Sequence, residues 1–236
     1  DALVQSIAPG LDTDAKGEKT AQHSDELSIH HFPRGAVAGT FLHSLLEELD
    51  FSQPIDESWM QEQLITQGFE EKWTPLLVAW METLFHTPLN AQGLCLADIP
   101  KEHQLDELQF YLPIEKEMSA AQLTALTRQY DPLSAQCPAL NFQQVQGMLK
   151  GFIDLVFCWE GKYYVVDYKS NWLGESSEDY TQEAMSNAMR DHRYDLQYQL
   201  YTLALHRFLQ QRLPDYDYQR HFGGICYLFS RGIDAD

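Results

Sequence analysis

Positive charge is what this sequence most lacks. Against 35 Asp and Glu it carries 16 Lys and Arg, a formal net charge of −19 at pH 7 over 236 residues. Capture of nucleic acid depends on Lys and Arg displacing counterions from phosphates, so a domain that gathers nucleic acid by its own field is excluded. The deficit is uneven. Residues 136–236 hold 9 basic against 13 acidic side chains, whereas residues 1–135 hold 7 against 22. Cysteine is also scarce: Cys95, Cys137, Cys158 and Cys226 lie at least 21 residues apart. That spacing excludes a CxxC knuckle and fits buried, reduced thiols of a cytosolic protein. No apolar run approaches the roughly 18 residues a membrane span requires. No charged-then-apolar leader is present, so the expected location is cytoplasmic. A GxxxxGK[ST] phosphate loop is missing too, which removes ATP hydrolysis from the expected chemistry. The chain opens on Asp1 and closes on Asp236 just after an apolar stretch, so both ends read as cuts through a longer polypeptide.

What is present is a chain able to bury a core: 44% of residues are apolar and 22% charged. Residues 1–30 are poor in large apolar side chains and read as a linker or flexible arm. A helix is expected from near Ala38, where Phe41, Leu42, Leu45, Leu46 and Leu49 form one stripe. Helical stretches follow at Glu57–Phe69 and Pro75–Phe85, with Pro75 suited to a first turn. Residues 86–106 are mixed, with room for a short strand, and Glu107–Ile114 alternates as a strand. Ser119-Ala-Ala-Gln122 is a capping box opening a helix to about Gln129. Ser176 or Ser177 can cap a helix running to about Arg190, and a long helix is expected over Tyr194–Leu213. Gly223–Ser230 closes as an apolar strand. There is no internal repeat and no low-complexity tract.

Between them, Gly147–Trp159 and Lys162–Lys169 are β-rich runs joined by Glu160-Gly161, a two-residue hairpin signal. With those two residues as the turn, Trp159 faces Lys162, and counting back along both strands sets Asp154 opposite Asp167. Facing residues in an antiparallel pair have β-carbons about 4.5–5.5 Å apart on one side of the sheet. Lys169, two residues beyond Asp167, projects from that side as well. A one-residue bulge at the turn would shift this register. An Asp–Lys pair on a half-exposed strand is often no more than a solvated face. Here Ile153, Leu155, Val156, Val165 and Val166 surround it, and ionisable groups in such a run are expensive to bury without a use. Two carboxylates this close need neutralising by a shared proton, by Lys169 or by a bound cation. Magnesium, which takes one or two carboxylates plus water and phosphate oxygens, is one such cation.

The segment GFIDLVFCWEGKYYVVDYKSNW, residues 151–172, resembles the core motif of the PD-(D/E)xK nuclease superfamily: Asp154 on one strand, then Asp167-Tyr168-Lys169 on the next. RGAVAGTFLHSLLEELDF near residue 40, ELQFYLPI near 110, YDLQYQLYTLALHRFL near 200 and HFGGICYLFSRG near the end extend the resemblance to RecB-type nuclease domains of RecBCD helicase–nucleases (exonuclease V), over about residues 28–234. The resemblance implies an α/β fold: a restriction-endonuclease-like core with a mixed central sheet flanked by helices, preceded by an N-terminal helical region. The domain would run over 31–236, helical to about 106 and nuclease core from 107. It also implies a site. His43, Asp154, Asp167 and the carbonyl of Tyr168 would hold Mg2+, with Mn2+ or Ca2+ able to substitute in binding. Lys169 would be the catalytic lysine and Glu107 an acid near the site. Gln197 and Tyr201 match a Q-x-x-x-Y motif whose members share a helix face. From the residues alone, His43 lies off the apolar stripe of its helix, beside Thr40 and Glu47, and reads as a surface histidine. Glu107 alone reads as a strand-end charge. Some RecB-like nucleases carry an iron–sulfur cluster, which the cysteine spacing here excludes.

The expected activity is that of a magnesium-dependent exodeoxyribonuclease cutting single strands of DNA delivered by a helicase, in double-strand-break repair, recombination and degradation of linear DNA. The expected partners are the RecB helicase domains and the RecC and RecD subunits, with no membrane. A docking role toward the RecA recombinase, carried by the acidic, helical first half, is the alternative.

Overall fold

The computed structural model describes residues 27–142 and 145–233. The expected arm at 1–30 lies almost wholly outside the described residues. Three helices open the chain: α1 (Ala36–Glu48), α2 (Glu57–Thr66) and α3 (Thr74–His86). The long strand β1 (Gln104–Met118) follows, then α4 (Ala120–Tyr130), the short α5 (Pro132–Gln136), β2 (Val145–Trp159) and β3 (Lys162–Lys169). The chain ends with α6 (Gln182–Asp191), α7 (Tyr194–Arg212), one turn of α8 (Tyr218–His221) and β4 (Phe222–Phe229). The strands make one mixed sheet in the order β1-β2-β3-β4, flanked by helices, as the resemblance implies. Among the described residues no helix is long and apolar enough to cross a membrane.

Local chemistry accounts for most boundaries. Asp56 accepts from the amides of Ser58 and Trp59 to start α2. Gly68, in the left-handed region at φ 81°, closes it: Phe69 N–H donates to Leu64 O at 2.8 Å and Gly68 N–H to Ile65 O at 3.0 Å. These are the paired bonds of a Schellman cap, and they stop α2 three residues short of Phe69. Ser119 and Gln122 form the expected capping box of α4. The hairpin turn has φ 49° at Glu160 and 76° at Gly161, the two positive values a type I′ turn needs.

Two sequence expectations fail for physical reasons. Residues 86–106 hold two 3-10 turns, Leu96–Asp98 and Lys101–His103, and no strand starts before Gln104. Asp98 caps back onto Cys95 and Pro100 precedes the second turn, so Leu96 and Ile99 reach the interior by turning rather than by alternation. The helix expected from Ser176 to Arg190 is broken. Its first turn, Ser177–Asp179, ends at the buried Tyr180, whose hydroxyl donates to Asn171 O at 2.9 Å. Its ring packs 5.7 Å from that of His30, and Gly232 lies so close that a β-carbon there would sit 2.6 Å from it. Helix resumes only at Gln182.

The chain forms two compact units. One comprises Leu105–Asp167 and Gln182–Ile225; its core joins Phe110, Leu149, Ile153, Val156 and Val165 of the strands to Leu196, Leu205 and Leu209 of α7. The other comprises residues 27–104, Tyr168–Thr181 and 226–233, with Phe32 at the centre of an aromatic cluster with Phe41, Phe69 and Trp73.

Gly151 is a point of close approach in the first unit, because a β-carbon there would run into the ring of Phe110. Gly151→Ala should therefore lower stability by about 1–3 kcal/mol, the usual cost of overpacking. Urea unfolding measures it; a loss under about 0.5 kcal/mol would show that the ring gives way freely.

Candidate active site

The paired register of β2 and β3 runs from Trp159↔Lys162 to Leu155↔Val166, and Asp154 and Asp167 are the next residue on each strand. The hairpin thus has the fold-back the sequence arithmetic assumed, with no bulge at its turn. Asp167 is 1% exposed and Asp154 partly so, between Ile153, Leu155, Val165 and Val166, all fully buried. Both carboxylates act on one phenol. Burial pushes the Tyr201 hydroxyl far above its ordinary range, and the charges of Asp167 and Asp154 push it further. Tyr201 Oη accepts from Gln197 Nε2 at 2.8 Å, and Phe110 meets its ring edge-on at 5.8 Å between centroids. In this unit the structure therefore brings together Asp154, Asp167, Gln197 and Tyr201. Glu107 lies on β1, exposed, with φ 48°. Such a backbone value is costly for a residue with a β-carbon and breaks the regular pleat of the strand there.

Helix α7, which carries Gln197 and Tyr201, is held at its start by a buried polar network. Arg193, itself at φ 57°, grips Asp195 through Nε–Oδ1 at 2.8 Å and Nη2–Oδ2 at 3.0 Å, a two-pronged ion pair. Ser134 Oγ donates to Asp195 Oδ2 at 2.6 Å, and Gln199 Nε2 donates to Ser134 Oγ at 2.9 Å. Arg193 Nη1 donates to Pro138 O at 2.7 Å. Burial alone would raise the Asp195 carboxyl, but the bonds from Arg193 and Ser134 outweigh it and hold the group below its ordinary range. Sequence reading missed this network. Its one signal was an acid in the first turn of a long helix, where the backbone amides favour negative charge.

The second unit holds His43, Tyr168 and Lys169. His43, on α1, meets the Tyr168 ring edge-on at 6.2 Å. Tyr168 and Lys169 are buried, and Lys169 Nζ lies 5.4 Å from the centre of the Tyr227 ring. Ser230 Oγ donates to Lys169 O at 3.2 Å, and the buried Arg231 donates from Nε to Ser170 O at 3.0 Å. Neither Ser230 nor Arg231 was singled out in the sequence, although both stand in the segment HFGGICYLFSRG.

Two carboxylates whose charge converges on one buried hydroxyl make a place where a cation is favoured and a third anion is not. Among the described residues no three His, Cys, Asp or Glu side chains gather into a ready-made metal cage. Magnesium does not need one, since it keeps several waters and takes only one or two carboxylates. The donor set fits that ion better than one requiring many protein ligands.

Comparison with known proteins follows the same line. Residues 20–230 match the family model described as the PD-(D/E)XK nuclease superfamily. Over 234 residues the chain is 56% identical to RecBCD enzyme subunit RecB of Escherichia coli, covering 99% of this chain and 20% of that protein. It is 40% identical over 215 residues to the subunit of the same name in Haemophilus influenzae, covering 91% and 18%. For Mycobacterium tuberculosis H37Rv the figure is 34% over 230 residues, covering 85% and 21%. The chain therefore spans about a fifth of the length of these relatives.

The Asp195 network carries its own pH signature. Because its folded pKa is depressed, the stabilisation is complete above the ordinary carboxylate value of about 3.9 and is lost as pH falls through the folded value. Asp195→Asn should cost about 3 kcal/mol at pH 7, as removal of one partner of a buried pair does. Urea unfolding at several pH values checks this: the gap between wild type and variant should narrow below about pH 4. A gap that widened there would contradict the assignment.

Proposed function

The chain belongs to the PD-(D/E)XK nuclease superfamily, and from that premise we propose that it is the divalent-cation-dependent DNA-cutting domain of a RecBCD-type helicase–nuclease. The observation that carries this reading is the hairpin: Asp154 and Asp167, each one residue beyond the paired Leu155 and Val166 of β2 and β3, with Tyr168-Lys169 completing the strand.

In this proposal Asp154 and Asp167, with His43 and the carbonyl of Tyr168, hold Mg2+. Manganese, more tolerant of an imidazole ligand, is expected to compete at the same site. When bound, the ion would offset charge building up on the phosphodiester and make water acidic enough to attack it. Lys169, two residues from Asp167 on one strand, orients the attacking water and stabilises the developing negative charge. Tyr201 is protonated at neutral pH, as a phenol ordinarily is, and burial and the two carboxylates push its ionisation still further away. It and Gln197 therefore form a neutral wall that fixes the Asp167 side without adding charge. Glu107 is proposed to serve waters or a second cation at the edge of the site.

A net charge of −19 supports a domain supplied with its substrate by tethering to a motor, where high local concentration replaces intrinsic affinity. The RecB motor domains, RecC and RecD are the proposed partners. Contact with RecA, through the acidic segment 1–135 (7 basic against 22 acidic side chains), is compatible with this reading.

Asp167→Ala should abolish magnesium-dependent cleavage of single-stranded DNA, and Lys169→Ala should lose about 100- to 1,000-fold in kcat while still binding the cation. Cleavage assays with Mg2+ and Mn2+, paired with a metal titration, measure both. Full turnover in Asp167→Ala would sink the nuclease reading; unchanged turnover in Lys169→Ala would remove the lysine from it.

A further inference from the structure

At the end of β3, within the second unit, Arg231 makes an arrangement that the nuclease reading does not use. The residue is 1% exposed and donates to four backbone carbonyls. Nε bonds Ser170 O at 3.0 Å; Nη1 bonds Ile29 O at 2.9 Å and Phe32 O at 3.1 Å; Nη2 bonds Pro33 O at 2.7 Å. The guanidinium carbon Cζ lies 5.9 Å from the centre of the Phe32 ring. Its neighbour Ser230 bonds Lys169 O, and Ser230 O in turn accepts from Trp80 Nε1 at 3.0 Å.

β3 ends at Lys169, so the carbonyl of Ser170 lies past the last residue of the strand. A buried carbonyl in that position needs a donor from elsewhere. Ser230 and Arg231 supply donors to two consecutive carbonyls, those of Lys169 and Ser170, and so fix the backbone from which the lysine side chain springs. The other prongs of Arg231 hold residues 29–33, the segment leading into α1, which carries His43. Only a planar fork with five donors meets four carbonyls in this geometry; a lysine ammonium carries the charge but not the fork.

Resting on the nuclease reading above, we propose that Arg231 is a positioning residue for Lys169: its guanidinium, together with the Ser230 hydroxyl, locks the backbone at Lys169–Ser170 so that the lysine amine stands where the reaction needs it. A displacement of about 1 Å at such a group can cost 100-fold in rate without weakening substrate binding. The residue therefore acts on kcat and not on KM.

The test is a double-mutant cycle on the whole chain, measuring single-stranded DNA cleavage with Mg2+. Arg231→Lys should lower kcat tenfold or more with KM within twofold, and should cost less than twofold in a Lys169→Ala background, because a misplaced lysine no longer matters once it is gone. An equal loss in both backgrounds, or a loss confined to KM, overturns the proposal. Ser230→Ala, which removes one hydroxyl and little volume, runs the same cycle with a smaller expected loss of three- to tenfold; it decides the matter where Arg231→Lys does not fold. A wild-type chain without metal-dependent cleavage overturns the nuclease reading and this inference together. Cleavage that requires Asp167 but is indifferent to both substitutions overturns the inference alone.

Discussion

Everything around the site depends on one constraint: negative charge placed inside an apolar hairpin. Asp167 is almost wholly buried, with Ile153, Leu155, Val165 and Val166 buried along the same two strands, and Asp154 continues the partner strand beyond the paired Leu155 and Val166. Unpaired ionised carboxylates in such a place are strongly disfavoured, so the surroundings must supply neutral hydrogen-bonding groups, cationic groups or an ion. The polar groups of the first unit read naturally as responses. Tyr201 offers a neutral phenol whose ionisation is opposed by burial and then by the carboxylates, and Gln197 orients it from one turn away. Both sit on α7, whose apolar face packs on the same strands, so hydrophobic burial and polar positioning are done by one helix.

The same economy holds at the ends of the elements. The start of α7 is fixed by the Arg193–Asp195–Ser134 network, two residues before Gln197, so the helix reaches the carboxylates with a defined rotation. The end of β3 is fixed by Ser230 and Arg231. In each case an arginine, half-buried at Arg193 and fully buried at Arg231, bonds oxygen atoms, and in each case a residue of the functional motif lies within two positions of what is held. Satisfied networks of this kind favour one arrangement over its neighbours more than they add to overall stability.

How much of this was legible beforehand divides by range. Local chemistry was readable: the Glu160-Gly161 turn, the capping box at Ser119, the apolar stripe of α1 and the long helix beginning at Tyr194 all rest on neighbours within a few residues. The hairpin register followed from the turn, so even the level of Asp154 and Asp167 could be counted. What could not be read was whatever depends on groups far apart in the chain. The break at Tyr180 comes from Asn171 and His30, and the anchoring of Lys169 comes from residues about 60 positions away. Periodicity carries no trace of such pairings. The likeness of extended segments to RecB-type domains supplied Gln197 and Tyr201, which spacing alone would have left as an ordinary helix surface and core.

The two-residue turn at Glu160-Gly161 has a consequence of a different sort. Exposed hairpin tips are where chains usually accept extra residues most easily, since little is packed there. This tip works instead as a ruler. Side chains alternate across a strand with a period of two, so one residue added or removed would turn the functional residues of one strand to the opposite face of the sheet. A change of two taken up by the strands would restore the face but slide Asp154 and Asp167 past each other by a full repeat. Length drift that the strands absorb would thus displace a carboxylate from its partner as surely as replacing it, although it begins at a surface loop remote from the chemistry.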